Sequence, residues 1–534
     1  MQISRRTFIK GFSFSLASLC MPLPLKAVTV EGPVIVTPRG KVRGMIVNGV
    51  HTFLGVPCGK PPYEPATRFK TAEYVDAWSG IVDCVTQPSL PLQGGAVIAA
   101  GEKSKIGADG KPLPGKNSRI LAEGGEDCLR LNIWTPAPGA GKYPVMVYIP
   151  GGGSVSCNNG KASGHSFARD GVVLVSINYR VNVDGFMKIP GVPANLAIRD
   201  MIFALQWVKE NIAAFGGDPD CVTVFGQSAG ATHIGSLLAS PLAKGLFERA
   251  ILMSGSHLAQ WTPEQSSRVS DMLFDYYGIA HTKEALLALP YEEMLNFRRL
   301  MAEKSTDPEW AYYANGNTTL FKPYVDGEVL LKRVIDSVAD GAGKDVDVMI
   351  GSTADEWRYV TVPSGEIDRI GSDRIDFLLK SIGAPASLAE DYRKQGRGKT
   401  PGEIYTALQS DLIFRIPTNI LLEARARSGG KTWAYSFNWE SPAYDGKLKA
   451  AHGCDIPFVF DILADKGAYQ KATGDNPPQN LADTLHKTWM TFARTGNPGW
   501  TPFDTQKRMT MAFNETSCEV SDPWKFEREA MKLK

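Results

Sequence analysis

Short apolar runs rich in β-branched residues alternate along the chain with segments of helical periodicity. Tyr143–Ile149 and Val172–Asn178 contain few polar residues, which is typical of strands buried on both faces of a parallel sheet. Between Leu196 and Phe215 the apolar residues follow the period of a helix, and Gly216-Gly217 provides a stop. Cys221–Phe225 is the next β-rich run. Strand, helix and strand therefore follow one another in this part of the chain.

The same alternation continues towards the C-terminus. Further strands are predicted at Arg249–Ser254, Val346–Gly351 and Thr432–Asn438. The intervening spans 258–345 and 365–428 are mostly helix-compatible, and we expect them to cover the sheet rather than to form separate domains. The pattern predicts a doubly wound α/β fold. Residues 93–120, rich in glycine and lysine, are expected to form a long exposed loop.

The first 27 residues have the pattern of an export signal. Ser4–Lys10 is basic, and the small and apolar stretch that runs to Leu25 is too short to span a bilayer. The paired arginines in S-R-R-x-F-I-K resemble the twin-arginine signal, the alternative being an ordinary secretion signal. The resemblance implies the export machinery as a partner and a periplasmic or secreted mature chain. The small-residue pattern Leu25-Lys-Ala27 predicts cleavage after Ala27. We expect residues 28–534 to form one large domain without stable membrane insertion, since no later stretch looks transmembrane.

Charge and cysteine usage narrow the function classes. Lys and Arg number 58 against 56 Asp and Glu, and this near balance gives no basic stripe for a phosphate backbone, which argues against a nucleic-acid partner. No C-x-x-C pair or clustered His/Cys spacing occurs, which argues against a structural zinc site. The chain has 8 cysteines. Loss of Cys20 with the signal leaves an odd number, so an oxidising compartment implies at least one unpaired thiol.

A candidate nucleophile stands in Gly226-Gln-Ser-Ala-Gly230, directly after the strand that ends at Phe225 and before an alanine-rich, helix-compatible segment. G-x-S-x-G is a weak signal by itself, but this strand-turn-helix setting is the one in which a serine hydroxyl is exposed on a tight turn. Acyl transfer also needs donors for the developing oxyanion, and Gly151-Gly152-Gly153 follows the strand that ends near Ile149. The sequence therefore predicts Ser228 as nucleophile, with a glycine loop facing it.

The base and the acid should follow the nucleophile in this fold, in the order serine, acid, histidine. His233 lies on the nucleophile's own helix, turned away from its face, and His486 lies in an amphipathic helical run. His257 and His281 are the other competitors. His452 follows a predicted strand on the loop Ala451-His-Gly-Cys-Asp455 and is the predicted base.

The acid should follow the strand that ends at Gly351. Asp355 and Glu356 are adjacent there, and either carboxylate suits the task of orienting the imidazole. Spacing alone does not choose between them.

Longer motifs resemble the type-B carboxylesterases, the family that contains para-nitrobenzyl esterases, fungal-type lipases and cholinesterases. The resemblance covers nearly the whole mature chain. Its motifs are Phe53–Pro62 (F-L-G-V-P-C-G-K-P-P), Glu126–Pro136 (E-D-C-L-R-L-N-I-W-T-P), Asn178-Tyr-Arg180, Phe215–Ala231 and Pro323–Gly327 (P-Y-V-D-G). The first two strings are long and highly specific.

The resemblance implies an α/β-hydrolase fold and hydrolysis of a small-molecule carboxylic ester through an acyl-enzyme, with no cofactor or metal. The residues that it assigns are Ser228 as nucleophile, Glu356 rather than Asp355 as acid, His452 as base, and the N–H groups of Gly152, Gly153 and Ala229 as oxyanion hole. It also implies a disulfide between Cys84 and Cys128. Rival hypotheses are a non-catalytic binding protein on the same fold and the same triad acting on amides, thioesters or lipids.

The sequence departs from the family pattern without deleting a catalytic atom. Pro150 replaces the usual His, Tyr or Gly, Ser154 the usual Phe after the glycines, and Gln227 the usual Glu before the nucleophile. Cys58 also stands where a bulkier aromatic is usual, so substrate preference does not transfer. Four aromatic residues either line a pocket for the acyl or alcohol group of the substrate or are ordinary packing residues. They are Trp310, Tyr312, Tyr313 and Trp357.

Overall fold

The computed structural model describes residues 30–98, 119–139, 141–295, 320–465 and 470–531. The predicted signal, residues 1–27, and the candidate pocket residues Trp310, Tyr312 and Tyr313 lie outside these ranges. The strands are β1 Val30–Val36, β2 Lys41–Val47, β3 Val50–Pro57, β4 Ile81–Asp83, β5 Gln93–Ile98, β6 Arg119–Glu123, β7 Arg130–Thr135, β8 Tyr143–Ile149, β9 Val173–Ser176, β10 Gly217–Gln227, β11 Arg249–Met253, β12 Asp347–Thr353, β13 Thr432–Phe437, β14 Met509–Phe513 and β15 Cys518–Ser521.

Helices connect the strands and cover the sheet. They are α1 His165–Arg169, α2 Asn182–Phe186, α3 Leu196–Asn211, α4 Ala229–Ala239, α5 Pro263–Tyr277, α6 Lys283–Leu287, α7 Tyr291–Met294, α8 Val334–Ala339, α9 Arg358–Thr361, α10 Ser372–Ser381, α11 Leu388–Lys394, α12 Pro401–Ser410, α13 Ile416–Ser428, α14 Ile456–Val459, α15 Gln470–Thr473, α16 Gln479–Thr495 and α17 Lys525–Ala530. Short 3-10 turns lie at Ile212–Phe215, Pro241–Ala243 and Glu366–Asp368, and a π-helical turn, Asp411–Arg415, joins α12 to α13.

One large mixed sheet organises the described chain. Its order is β1-β2-β3-β7-β9-β8-β10-β11-β12-β13-β14-β15, with β4 paired to β2. The pairs from β9 through β14 are parallel, and the flanking pairs are antiparallel except for β2 with β4. The predicted α/β sheet is confirmed, and the predicted helix from residue 196 is α3 with its 3-10 extension, ended by Gly216 in the left-handed region.

The central strands divide two hydrophobic cores, one on each face of the sheet. Along β8, Val145, Val147 and Ile149 face one core, while Met146 and Tyr148 face the other. Because successive side chains of a strand point to opposite faces, a strand covered on both sides must be apolar throughout. This requirement explains the unbroken apolar runs in the sequence.

The predicted loop 93–120 is wrong at its two ends. Gln93–Ile98 and Arg119–Glu123 pair antiparallel as β5 and β6 in a separate two-stranded sheet. Val97 is paired with Ile120 in this ladder. The glycine- and lysine-rich composition of the segment therefore concealed a pair of short strands. Residues 99–118 lie outside the described ranges.

Candidate active site

Ser228 occupies a strained turn between β10 and α4. Its φ of 60° and ψ of −128° lie in a region that side-chain-bearing residues rarely adopt. A Cβ at Gly226 would lie 2.6 Å from the carbonyl oxygen of Ile149, and one at Gly230 would lie 2.0 Å from the same atom. The two glycines of the G-x-S-x-G motif are therefore required because the turn packs directly against the end of β8.

Backbone hydrogen bonds hold this turn in place. The Ser228 N–H donates to the Met253 carbonyl at the end of β11 over 2.9 Å, and the Ser228 carbonyl accepts from the Thr232 N–H over 3.0 Å. The Thr232 hydroxyl in turn accepts from the Ser256 N–H over 2.9 Å. The nucleophile turn is thus tied both to the neighbouring strand and to the loop that follows it, so the serine stands at the carboxyl edge of the parallel strands.

Glu356 is the carboxylate that contacts the predicted base. Its side chain is buried after β12, where one oxygen accepts from the Thr353 N–H over 2.8 Å and the other is hydrogen-bonded to Nδ1 of His452. The His452 N–H also donates to the Glu356 carbonyl over 3.1 Å. Asp355 instead pairs with Arg358, with 3.3 Å between Oδ1 and Nε. The geometry thus distinguishes two carboxylates that sequence spacing left equivalent.

The second ring nitrogen of His452 contacts a residue that the sequence reasoning did not assign to the site. Nε2 of Gln227 lies 3.0 Å from Nε2 of His452. An amide nitrogen only donates, so Nε2 of His452 accepts this hydrogen bond. The proton of the neutral imidazole ring is therefore on Nδ1, which faces Glu356. The ring also packs against Phe414 and Tyr359, with centroids 4.7 and 5.6 Å away. No hydrogen bond joins His452 to Ser228 Oγ within the described ranges.

The glycine loop after β8 lies against the nucleophile turn. A Cβ at Gly151 would come within 3.0 Å of the Ser228 Cβ and 2.5 Å of the Gln227 carbonyl oxygen. Gly152 and Gly153 have φ of 142° and 63°, and a Cβ at Gly152 would lie 2.0 Å from the Ser156 carbonyl oxygen. This close approach is open only to glycine.

The loop presents backbone donors beside Ser228. In the described part of the chain, no hydrogen bond uses the N–H groups of Gly152, Gly153 or Ala229, which are the predicted oxyanion donors. Pro150, which has no N–H, precedes the donors, and its carbonyl accepts from the Tyr179 hydroxyl over 2.6 Å. The proline thus removes no donor from the site.

A second buried carboxyl lies near the triad. Asp455 is fully buried three residues after His452, and neither of its side-chain oxygens has a hydrogen-bond partner among the described residues. Burial, reinforced by the negative charge of Glu356, raises the pKa of Asp455 to about 7. The sequence shows that Asp455 ends the loop that carries the predicted base. It does not show that the Asp455 side chain is buried.

The other candidate histidines lie away from Glu356. His281 is exposed and lies between Asp271 and Asp275, and His486 is hydrogen-bonded to the Val459 carbonyl. His257 is fully buried, and burial lowers its pKa to about 3. His233 is also fully buried and contacts Ser154 of the glycine loop, a role considered below.

The predicted Cys84–Cys128 disulfide is absent: both residues are buried free thiols. The Cys84 sulfur instead lies 3.9 Å from the carbonyl oxygens of Gly55 and Val82. Burial raises the pKa of both thiols.

Trp357 packs in a small apolar cluster with Val360, Ile413 and Phe414. Trp357 therefore has the packing role rather than a demonstrated pocket role. Phe414, a member of the same cluster, also contacts the ring of His452. Within the described ranges, no group of three or more His, Cys, Asp or Glu residues is arranged to hold a metal ion. None of the helices there is long and apolar enough to cross a membrane.

Comparisons with known proteins agree with this architecture. Residues 31–531 match the family model described as the carboxylesterase family. A curated relative, the para-nitrobenzyl esterase of Bacillus subtilis (strain 168), is 30% identical over 516 residues, which cover 93% of this chain and 98% of the relative. The phenmedipham hydrolase of Pseudarthrobacter oxydans is 30% identical over 507 residues, 92% of this chain and 97% of that protein.

A similar solved structure is that of the Geobacillus stearothermophilus carboxylesterase EST55 at pH 6.8. It superposes with a TM-score of 0.76 at 31% identity and covers 93% of this chain and 100% of its own. The α/β-hydrolase fold expected from the sequence is thereby confirmed.

Proposed function

Because the chain belongs to the carboxylesterase family and is a carboxylic ester hydrolase, we propose that it works through an acyl-enzyme on Ser228. The observation that carries this proposal is the pairing of Glu356 with Nδ1 of His452 beside a strained serine turn. The paired carboxylate fixes the tautomer whose Nε2 is free of a proton, which is the form that acts as a general base.

Acylation begins when Ser228 Oγ attacks the ester carbonyl carbon while Nε2 of His452 takes the hydroxyl proton. For this step Nε2 exchanges the amide N–H of Gln227 for the serine hydroxyl. The carbonyl oxygen becomes negative and accepts from the N–H groups of Gly152, Gly153 and Ala229. The C–O bond to the alcohol then breaks, and His452 returns the proton to the leaving oxygen.

Deacylation repeats the sequence with water. His452 takes a proton from water, the hydroxide adds to the acyl carbon, and collapse of the tetrahedral intermediate returns the proton to Ser228 as the acid leaves. Throughout, the Glu356 carboxylate stabilises the imidazolium without taking its proton. The residues need no cofactor for these steps.

The substrate we propose is a small carboxylic ester. Relatives that span nearly the same length carry the names para-nitrobenzyl esterase and phenmedipham hydrolase, which supports a small-molecule substrate. A panel of matched nitrophenyl ester, thioester and anilide substrates distinguishes an esterase from a thioesterase or amidase on the same triad.

We also propose that the chain is exported through its N-terminal segment. Support comes from the paired arginines at positions 5 and 6, followed by a short apolar stretch. The test is expression of the full chain and of an R5K/R6K variant in a bacterium with twin-arginine export, followed by fractionation and N-terminal mass analysis. Periplasmic protein starting after Ala27 in the wild type, lost in the variant, is expected; equal export of both would contradict twin-arginine targeting.

Labelling by a serine-directed phosphonate tests the nucleophile. The wild type should take up one phosphonate on the peptide that contains Ser228, and Ser228→Ala should take up none. Equal labelling of both proteins, or labelling elsewhere, would reject Ser228. A wild type that is neither labelled nor active on the ester panel would favour the non-catalytic binding alternative.

A further inference from the structure

One buried cluster contacts the glycine loop at both of its ends. Before the glycines, the Pro150 carbonyl accepts from the Tyr179 hydroxyl over 2.6 Å. After them, the Ser154 hydroxyl is hydrogen-bonded to Nε2 of His233 over 3.3 Å. The rings of Tyr179 and His233 themselves meet edge to face, with centroids 5.6 Å apart. The loop between Pro150 and Ser154 is therefore fixed to a single packed unit.

His233 joins this unit to the nucleophile. It lies on α4, the helix that begins immediately after Ser228, and its side chain is fully buried. Its ring stacks on Phe186 at 5.0 Å with an interplanar angle of 27°. A ring held on two sides by aromatic neighbours has few alternative positions, so its hydrogen bond to Ser154 has a fixed direction.

The loop itself needs such support. Ser154 has a φ of 62°, and Gly152 and Gly153 also have positive φ. A serine in the left-handed region beside two conformationally free glycines stays in one conformation only when its surroundings hold it there. The Asn182 N–H adds a further contact, donating to the Ser154 carbonyl over 2.9 Å.

We propose that His233 and Tyr179 are positioning residues for the oxyanion hole, holding the N–H groups of Gly152 and Gly153 at a fixed distance from Ser228. The two contacts set the loop relative to α4, so the donors and the nucleophile move as one body. Donors aimed at the oxyanion contribute more to the transition state than to the bound ester, so loosening the loop lowers kcat and leaves KM nearly unchanged. Burial lowers the pKa of His233 to about 3, which keeps its ring neutral over the working range of pH.

This inference rests on the proposed acyl transfer at Ser228 and is tested by single-contact variants. Ser154→Ala removes the hydroxyl that bonds His233, and His233→Phe keeps a ring without the nitrogen. Tyr179→Phe removes the hydroxyl that donates to the Pro150 carbonyl and also interacts with Cys157. Each variant should lower kcat about tenfold with KM within twofold. Ser154→Ala combined with His233→Phe should be no worse than either alone, because both remove the same bond.

A trifluoromethyl ketone separates positioning from general structural damage. Ser228 adds to the carbonyl carbon of the ketone, and the resulting oxyanion lies in the oxyanion hole. The affinity of each variant for the ketone should therefore fall by the same factor as its kcat. The control is Ser236→Ala, which removes a buried hydroxyl of α4 that has no hydrogen-bond partner among the described residues. That control should leave kcat and ketone affinity unchanged.

The outcomes are distinct for the two proposals. Unchanged ketone affinity in Ser154→Ala and Tyr179→Phe, or multiplicative losses in the double variant, would overturn the positioning role. A wild type that forms no ketone adduct would overturn the acyl-transfer proposal instead. Should His233→Phe fail to fold, the two variants that each remove one hydroxyl still decide the question.

Discussion

The side-chain amide N–H of Gln227 donates a hydrogen bond to Nε2 of His452. This nitrogen takes the proton of Ser228 in the proposed reaction. The two nitrogen atoms are 3.0 Å apart, and Gln227 immediately precedes the nucleophile. The resting base is thus held at both ring nitrogens, by Glu356 on one side and by Gln227 on the other. A neutral amide can occupy this position because it stabilises the unprotonated nitrogen.

A carboxylate in place of Gln227 should make activity more sensitive to acid. In Gln227→Glu the new carboxylate accepts from a protonated Nε2 and favours the charged imidazole, so the acid limb of kcat/KM should move up by about one pH unit. Full pH profiles of wild type and variant measure the shift.

Gln227→Met is the matched control, because it keeps the length of the side chain without charge or hydrogen bond. It removes the amide's preference for the neutral imidazole without adding a charge, so it should move the acid limb in the same direction but less than Gln227→Glu does. Since Glu356 and Asp455 also act electrostatically on this region, Asp455→Asn is profiled in parallel. An acid limb that is the same in Gln227→Glu and in wild type would show that the contact with His452 does not form in solution.

Removing the charge of Glu356 should nearly abolish turnover. Glu356→Gln keeps the shape of the side chain but no longer fixes the Nδ1–H tautomer or stabilises the imidazolium, so kcat should fall by about 10⁴. Steady-state kinetics on a nitrophenyl ester measure this loss. The adjacent Asp355→Asn loses only its pairing with Arg358 and should change kcat by less than about threefold. Comparable losses in both variants would refute the assignment of Glu356.

The nucleophile turn should reject a methyl group at Gly230. The added Cβ would lie 2.0 Å from the Ile149 carbonyl oxygen, a backbone atom that cannot rotate away. Gly230→Ala should therefore destabilise the protein by about 3 kcal/mol or more and abolish activity. Urea unfolding and activity assays measure both effects.

Gly235→Ala is the control on the same helix. Its Cβ would meet Val334 at 3.5 Å and His257 at 3.7 Å, which is ordinary contact. An alanine in a helix interior should be neutral or stabilise by up to about 1 kcal/mol. The steric account fails if Gly230→Ala unfolds at the same urea concentration as Gly235→Ala.

Asp455 should make the free energy of unfolding depend on pH. Its pKa is about 7 in the folded chain against an ordinary value of 3.8, so the folded state holds a proton that the unfolded state releases. The associated stability is present below pH 3.8 and is lost as the pH rises through about 7. Asp455→Asn cannot ionise, so its stability relative to wild type should increase between pH 4 and pH 8.

Urea unfolding at a series of pH values measures this difference. Asp376→Asn, which changes an exposed carboxyl on α10, serves as control and should track the wild type at every pH. A constant difference between Asp455→Asn and wild type from pH 4 to pH 8 would contradict the buried, protonated carboxyl.

The fold could be predicted from the sequence because strands that are buried on both faces of a sheet appear as unbroken apolar runs. The strand at Tyr143–Ile149 has the predicted bounds, since Val145–Ile149 alternate between the two cores. The pairing of β5 with β6 was missed, because it depends on contacts between two short segments separated by a glycine-rich stretch. The prediction of a Cys84–Cys128 disulfide rested on the family resemblance alone, and residue spacing did not support it.

The residues of the candidate site could be proposed from the sequence, but the contacts between them could not. Ser228 and His452 follow strands in the order that the fold requires, whereas the choice of Glu356 over Asp355 depends on side-chain direction at two adjacent positions. Gln227 stands 225 positions before His452, so its contact with the base has no local signal. The same holds for Ser154 and His233, which only the packing of α4 against the glycine loop brings together.

The most direct test of the acyl-enzyme is rapid mixing of the protein with a para-nitrophenyl ester, with acid quench and intact-mass analysis in parallel. We expect a burst of one nitrophenolate per chain and an acyl adduct on the peptide that contains Ser228. In Ser228→Ala we expect neither, with turnover reduced roughly a thousandfold or more. Equal nitrophenolate release by wild type and Ser228→Ala, with no adduct on either, would contradict catalysis through Ser228.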